Sequence, residues 1–142
     1  MTAREYLSGL EKIEVGIRQK MEERQELLDR ATSITTTFGM DKVRSSPRHD
    51  KMACFIEKAA DLEEEIAQIV SDLLDERNMI VNQIHELDTP SHIALLYEKY
   101  VHQKNLGQIA RELNYSYEYI KQLHIRALKE FTEVHAAFLK AV

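Results

Sequence analysis

Between Asp50 and Leu87, apolar residues recur in a three-four alternation: Met52, Phe55, Ala59, Leu62, Ile66, Ile69, Leu73, Ile80 and Leu87. Glu76 and Gln83 interrupt the pattern. This heptad stripe restricts the fold more than any other feature, because it gathers its side chains along one side of a single helix. A helix over residues 50–87 rises roughly 57 Å, too long for the core of a small globular domain to bury. The stripe needs another long helix beside it. Residues 3–28 provide one, with Tyr6, Leu10, Ile13, Ile17, Met21 and Leu28 on a common face and a rise of roughly 40 Å. The cover can be this first helix folding back, a second chain, or both, since a heptad seam does not say whose helix fills it.

The segment between them, residues 29–50, breaks the periodicity. Three consecutive Thr, Gly39, two Ser and Pro47 disfavour a continuous helix, so a linker is expected, with Asp50 capping the second helix. Arg30, Lys42, Arg44, Arg48 and Lys51 mark this linker. They suit either a loop that grips phosphates or an ordinary mobile loop. On these limits the second helix exceeds the first by about 12 residues, leaving roughly 18 Å of stripe without intrachain cover. Ile80, Ile84 and Leu87 lie there if the first helix folds back antiparallel. A homodimer through this strip of the long helix is the expectation, with the C-terminal domain itself or the tail at Phe138 and Leu139 as the other covers.

Asp88, Thr89 and Pro90 end the long helix. Asp88 or Thr89 can cap the next, with Pro90 in its first turn. A third helix is expected from about Ser91 to Gln103, and a last one running through Phe131, Val134, Phe138 and Leu139. Few breakers (four Gly, two Pro) and abundant Glu, Lys, Leu, Ile and Ala agree with an all-α chain. No run of about 20 apolar residues spans a membrane, and no signal-like stretch opens the chain. The lone Cys54 excludes an intrachain disulfide and fits a reducing, cytoplasmic setting.

Function is written most plainly in Leu106–Leu128, LGQIARELNYSYEYIKQLHIRAL. Ile109, Ala110, Leu113, Tyr115, Ile120 and Leu123 fall where a helix-turn-helix needs buried contacts, and Ala110 is small where the helices come closest. Asn114 tolerates the left-handed turn. Asn105 and Ser116 are good N-caps for the two helices. A second helix held this way presents its N-terminal half to the major groove of double-stranded DNA. With Ile120, Leu123, Ala127 and Phe131 inward, Glu118, Lys121, Gln122 and Ile125 point outward. Gln pairs with adenine, Glu accepts from cytosine, and Lys donates to guanine or phosphate. Tyr117, in the first turn, can reach a phosphate or a thymine methyl group. Tyr117, Glu118, Lys121 and Gln122 are therefore the expected base-reading residues, and Lys104, Gln108, Arg111 and Arg126 the expected phosphate contacts. The same segments also fit a solvated polar face.

Residues His92–Phe131 resemble region four of bacterial sigma factors. Leu95, Leu96 and Tyr100 match its apolar helix ending in an aromatic residue, and Leu106, Ile109 and Ala110 match the helix that follows. Glu118, Ile120, Lys121, Gln122, Ala127 and Leu128 match the recognition helix in order. Arg usually stands beside that Glu, whereas Tyr117 and Tyr119 flank it here. The whole chain also resembles small phage or prophage transcriptional regulators of Gram-positive bacteria, in its Met1–Leu7 start and its Ala31–Thr35 segment. The resemblance implies a sequence-specific regulator of phage or prophage genes with a sigma-like reading head, and RNA polymerase as a second partner. No promoter-melting region accompanies that head.

Charge divides with these parts. Residues 1–90 hold 12 Lys plus Arg against 19 Asp plus Glu, and residues 91–142 hold 7 against 5. The overall −5 thus belongs to the N-terminal part, and the C-terminal +2 permits DNA binding of modest nonspecific strength. Neither metal, cofactor nor enzymatic chemistry is expected. His85, His92 and His102 lack zinc-site spacing. Glu63, Glu64 and Glu65 point in three directions around a helix, and no phosphate loop or nucleophile motif occurs. The expected organisation is a helical hairpin or coiled coil over 1–88, with a 29–50 linker, and a helix-turn-helix domain over 89–142. Two alternatives share these features. One is a phage DNA-packaging recognition subunit, which would assemble into a ring. The other is a protein-only module docking on RNA polymerase.

Overall fold

A computed structural model describes the backbone of residues 1–40 and 46–142, and the side chains of residues 1–33 and 51–142. All regular structure among the described residues is helical: α1 (Ala3–Met40), α2 (Ser46–His85), α3 (Pro90–Leu96), α4 (Leu106–Leu113), α5 (Tyr117–Val134) and α6 (Ala136–Ala141). A π-helical turn, Tyr97–Val101, continues α3. No described helix is long and apolar enough to cross a membrane.

The two long helices differ from expectation at the linker. α1 continues to Met40 and α2 begins at Ser46, ahead of Asp50. Thr costs well under about 1 kcal/mol in a helix and Gly about 1 kcal/mol, so neither stops a helix already nucleated over thirty residues. Pro47 falls in the first turn of α2, where its missing N–H has no helical partner to lose. The side chains of Lys42, Arg44, Arg48 and Asp50 lie outside the described residues.

The chain forms two compact units: Met1–Glu14 with Asp75–Val142, and Val15–Leu74. Residue 88, the expected boundary, lies inside the first. In the Val15–Leu74 unit the helices run antiparallel. A Cβ on Gly16 would stand 3.3 Å from the Leu73 side chain, and Arg24 pairs with Glu63 at 3.0 Å. Ile66 is buried, while Leu62, Ile69 and Met21, expected on the seams, are exposed. The α2 seam in fact follows Ala59, Glu63, Ile66, Val70, Leu73, Arg77, Ile80, Ile84 and Leu87, all buried or half-buried. Two of its positions are charged and paired, Glu63 with Arg24 and Arg77 with Glu14.

In the first unit the start of α1 lies antiparallel to the end of α2. The Tyr6 hydroxyl donates to Gln83, Arg77 pairs with Glu14, and Leu7 and Leu10 are fully buried. The Tyr6 ring also meets Phe131 and Phe138, at centroid distances of 6.1 and 5.1 Å. Ile80, Ile84 and Leu87 are buried within this single chain, and α1 and α2 are nearly equal in length, at 38 and 40 residues. That corrects the expectation of an uncovered strip and removes the ground given for a homodimer through it. The C-terminal tail meets this same part of the chain. The helix breaks at His135, whose buried imidazole donates to the Gln83 carbonyl at 2.8 Å. α6 then returns, with Leu139 buried and its carbonyl 3.4 Å from the N-terminal amine.

Candidate nucleic-acid interface

α3, α4 and α5 meet in a core of Leu95, Ile109, Ala110, Ile120 and Leu123, with Leu106 packed against it. Local chemistry sets the ends of these helices. The Asn105 side chain accepts from the Gln108 amide, and the Ser116 side chain from the Tyr119 amide, so both expected N-caps form. Asn114 terminates α4 in the left-handed region, at φ 59° and ψ 38°, and its amide is satisfied by α4 carbonyls. Between α4 and α5 the turn is three residues long, which fixes the start of α5 against the core.

Two residues expected inside this turn are not. Leu113 is exposed, and Tyr115 is 52% exposed with its ring on Tyr119 at 4.9 Å. The left-handed step at Asn114 redirects the chain, and Tyr115 leaves on the outer side. The expected third helix also changes form. Its last turn is π-helical, with the His102 amide on the Tyr97 carbonyl, and Tyr100 and Val101 are both buried. Gln103 closes it with a left-handed backbone, φ 58°, and its side chain donates to the Tyr100 carbonyl.

α5 has a sharply divided surface. Ile120, Leu123, Ala127 and Phe131 are buried, and Tyr117, Glu118, Lys121, Gln122 and Ile125 are exposed. Lys121 stands over the Tyr117 ring at 5.4 Å, and its ammonium is 3.7 Å from the Glu118 carboxylate. These three side chains form a connected strip on the first two turns of α5, with Gln122 beside it.

The expected phosphate contacts fall into two groups. The Lys104 ammonium sits between Glu98, at 2.6 Å, and Glu112, at 2.9 Å. Those carboxylates, Glu98 foremost, raise its pKa, and Lys104 in turn leads in holding Glu98 below the usual carboxylate range. The Gln108 side chain donates to Glu112 as well. Arg111 and Arg126 are exposed, and no ion pair holds either among the described residues.

The sequence pattern did not point to two groups behind this surface. His124, on α5, is buried and bonded to the Tyr100 hydroxyl at 2.8 Å. Burial, with the cations Lys99 and Arg4 nearby, lowers its pKa to about 4, so the ring is neutral at pH 7. Its signal was one of spacing, since residue 124 follows the core residue Ile120 by four and precedes Ala127 by three. Glu130 acts farther along α5. Its carboxylate accepts from the Asp88 and Thr89 amides, at 3.2 and 3.1 Å, and from His92 at 3.1 Å. Burial pushes the Glu130 pKa up, but these bonds outweigh it and the net shift is downward. Neither Asp88 nor Thr89 caps α3 with its own side chain; Thr89 is the N-cap residue, and its own amide donates to Glu130.

No family model matches the chain, and no curated protein or solved structure is significantly similar to it.

Proposed function

We propose that the protein binds double-stranded DNA in a sequence-specific way through the outer strip of α5, and that it serves in transcriptional control of phage or prophage genes. The observation that carries this reading is the division of α5. One side is locked into the core. The other presents Tyr117, Glu118, Lys121 and Gln122 from the helix's first two turns, the part that enters a major groove when a helix-turn-helix docks. Donor and acceptor side chains are both available there for base edges. Arg111 and Arg126, exposed and without an ion pair among the described residues, suit phosphate contacts. Lys104 and Gln108, engaged by Glu98 and Glu112, would have to exchange partners to make them. The sigma-like motif in His92–Phe131 supports the same assignment, with RNA polymerase as the second partner.

Fluorescence anisotropy on a duplex enriched from random genomic fragments tests it. Lys121→Ala/Gln122→Ala should keep the wild-type circular dichroism spectrum and melting, because both positions are exposed. Its affinity for the enriched duplex should fall by about 1–3 kcal/mol for each side chain that bonds directly to a base. Unchanged affinity removes this strip from the interface.

One observation favours a protein partner instead. Leu113, Tyr115, Tyr117 and Tyr119 are all exposed around the start of α5, and aromatic side chains are enriched where proteins dock. Under that reading the enriched pool contains no duplex bound above background.

A further inference from the structure

On the first turns of α5, Ile125 belongs neither to the core nor to the polar strip; Val134, also exposed, lies at the far end of the helix. Ile125 is 62% exposed, the highest value among the exposed large apolar residues of the described chain. Isolated apolar residues are ordinary on a protein surface, so exposure alone carries little. Its position carries more. Ile125 follows Lys121 by four residues and Gln122 by three, which sets it one turn further along the same side of the helix. From Glu118 to Ile125 the helix rises about 10.5 Å. That matches about three base-pair steps of 3.4 Å.

The tyrosines at the start of α5 are engaged with side chains of their own chain, and exposed Leu113 belongs to α4. Tyr117 lies under Lys121, and Tyr115 and Tyr119 pair with each other. In the major groove the apolar feature offered by a base is the C5-methyl group of thymine, and apolar side chains are what contact it. We infer that Ile125 reads a thymine methyl group next to the bases contacted by Lys121 and Gln122. The inference rests on the DNA-binding reading and assigns one of its specificity determinants.

The experiment uses the full chain and the best duplex enriched from a randomised pool. Each thymine of the enriched site is replaced in turn by deoxyuridine, which removes only the methyl group. At one position the replacement should weaken wild-type binding about fourfold, the factor expected for one buried methyl group. Ile125→Ala should bind the thymine duplex more weakly than wild type, by a similar or larger factor, and should no longer distinguish it from the uracil duplex. Its circular dichroism and melting should match wild type.

Three results overturn the inference while leaving DNA binding intact. The enriched site can lack thymine, the wild type can bind every uracil duplex equally well, or Ile125→Ala can keep the fourfold preference. In each case loss of binding by Lys121→Ala/Gln122→Ala still upholds the strip as a DNA reader. If no duplex is enriched at all, both the DNA-binding reading and this inference fall together.

Discussion

Acidification should loosen the unit that carries α5, and His124 supplies the reason. The ring is buried, bonded to Tyr100, and has its pKa lowered from 6.5 to about 4. Between those values the unfolded chain holds more protons on this ring than the native protein does. Stability therefore rises with pH across this window and is lost as pH falls from 6.5 toward 4. A displacement of that size corresponds to about 3 kcal/mol over the whole window, of which about 2 kcal/mol is lost between pH 7 and pH 5. The carboxylates with lowered pKa values, Glu5, Glu98 and Glu130, titrate below 4.5 and contribute at the acid end of the range. Urea unfolding at pH 7 and pH 5, followed by a probe in the Asp75–Val142 segment, measures the loss. His124→Gln keeps a polar amide near Tyr100 but cannot be protonated, so it should flatten the pH dependence by about 2 kcal/mol. NMR titration of the wild-type ring should give a midpoint near 4. A midpoint near 6.5, or an identical pH slope in His124→Gln, refutes the assignment.

Further outcomes follow from single contacts. Ile120→Asp places a charge in a fully buried position and should unfold the helices around it, seen as loss of circular dichroism and of the cooperative melt. Glu130→Ala removes the acceptor for the Asp88 and Thr89 amides and should lower stability by about 1–2 kcal/mol in urea titrations. Ile84→Ala opens a cavity at a fully buried seam position and should cost about 2–5 kcal/mol by the same measurement. In DNA titrations, Arg111→Ala and Arg126→Ala should each reduce the slope of log K against log salt by about 1 if each neutralises one phosphate.

The long-helix architecture was legible because periodicity reports burial directly. Its errors came from residues whose burial does not depend on being apolar. Glu63 and Arg77 occupy the α2 seam because each meets an opposite charge on α1, whereas Leu62 and Ile69 sit on its exposed flank. Counting only apolar residues placed Leu62 and Ile69 on the stripe in their stead, while Ala59, Ile66, Leu73, Ile80 and Leu87 do lie on the seam. Gln83 interrupts the apolar pattern and yet is buried, accepting from Tyr6 through its side chain and from His135 through its backbone. α1 runs past the end that local propensity predicts for a different reason: Thr and Gly39 are each poor helix formers, but elongating a formed helix costs far less than nucleating one.

The candidate interface was legible for a different reason: caps and turns are set by neighbours in sequence. Asn105, Ser116 and Asn114 each act on residues one to four positions away, and all three take the expected roles. Contacts that close over longer distances in sequence were not legible. Nothing in the order of residues couples His124 to Tyr100, or Glu130 to Asp88 and Thr89. Yet these are the bonds that tie the inner side of α5 to the π-helical turn after α3 and to the residues before α3. They bear on the outer strip as well. Lys121 and Ile125 share a rigid helix with His124, so any change that unseats the buried ring also displaces the groups facing outward. Loss of DNA binding at low pH would then follow His124 even though the ring touches no base. Comparing His124→Gln with wild type in DNA titrations at pH 5 separates that route from direct titration of the exposed strip.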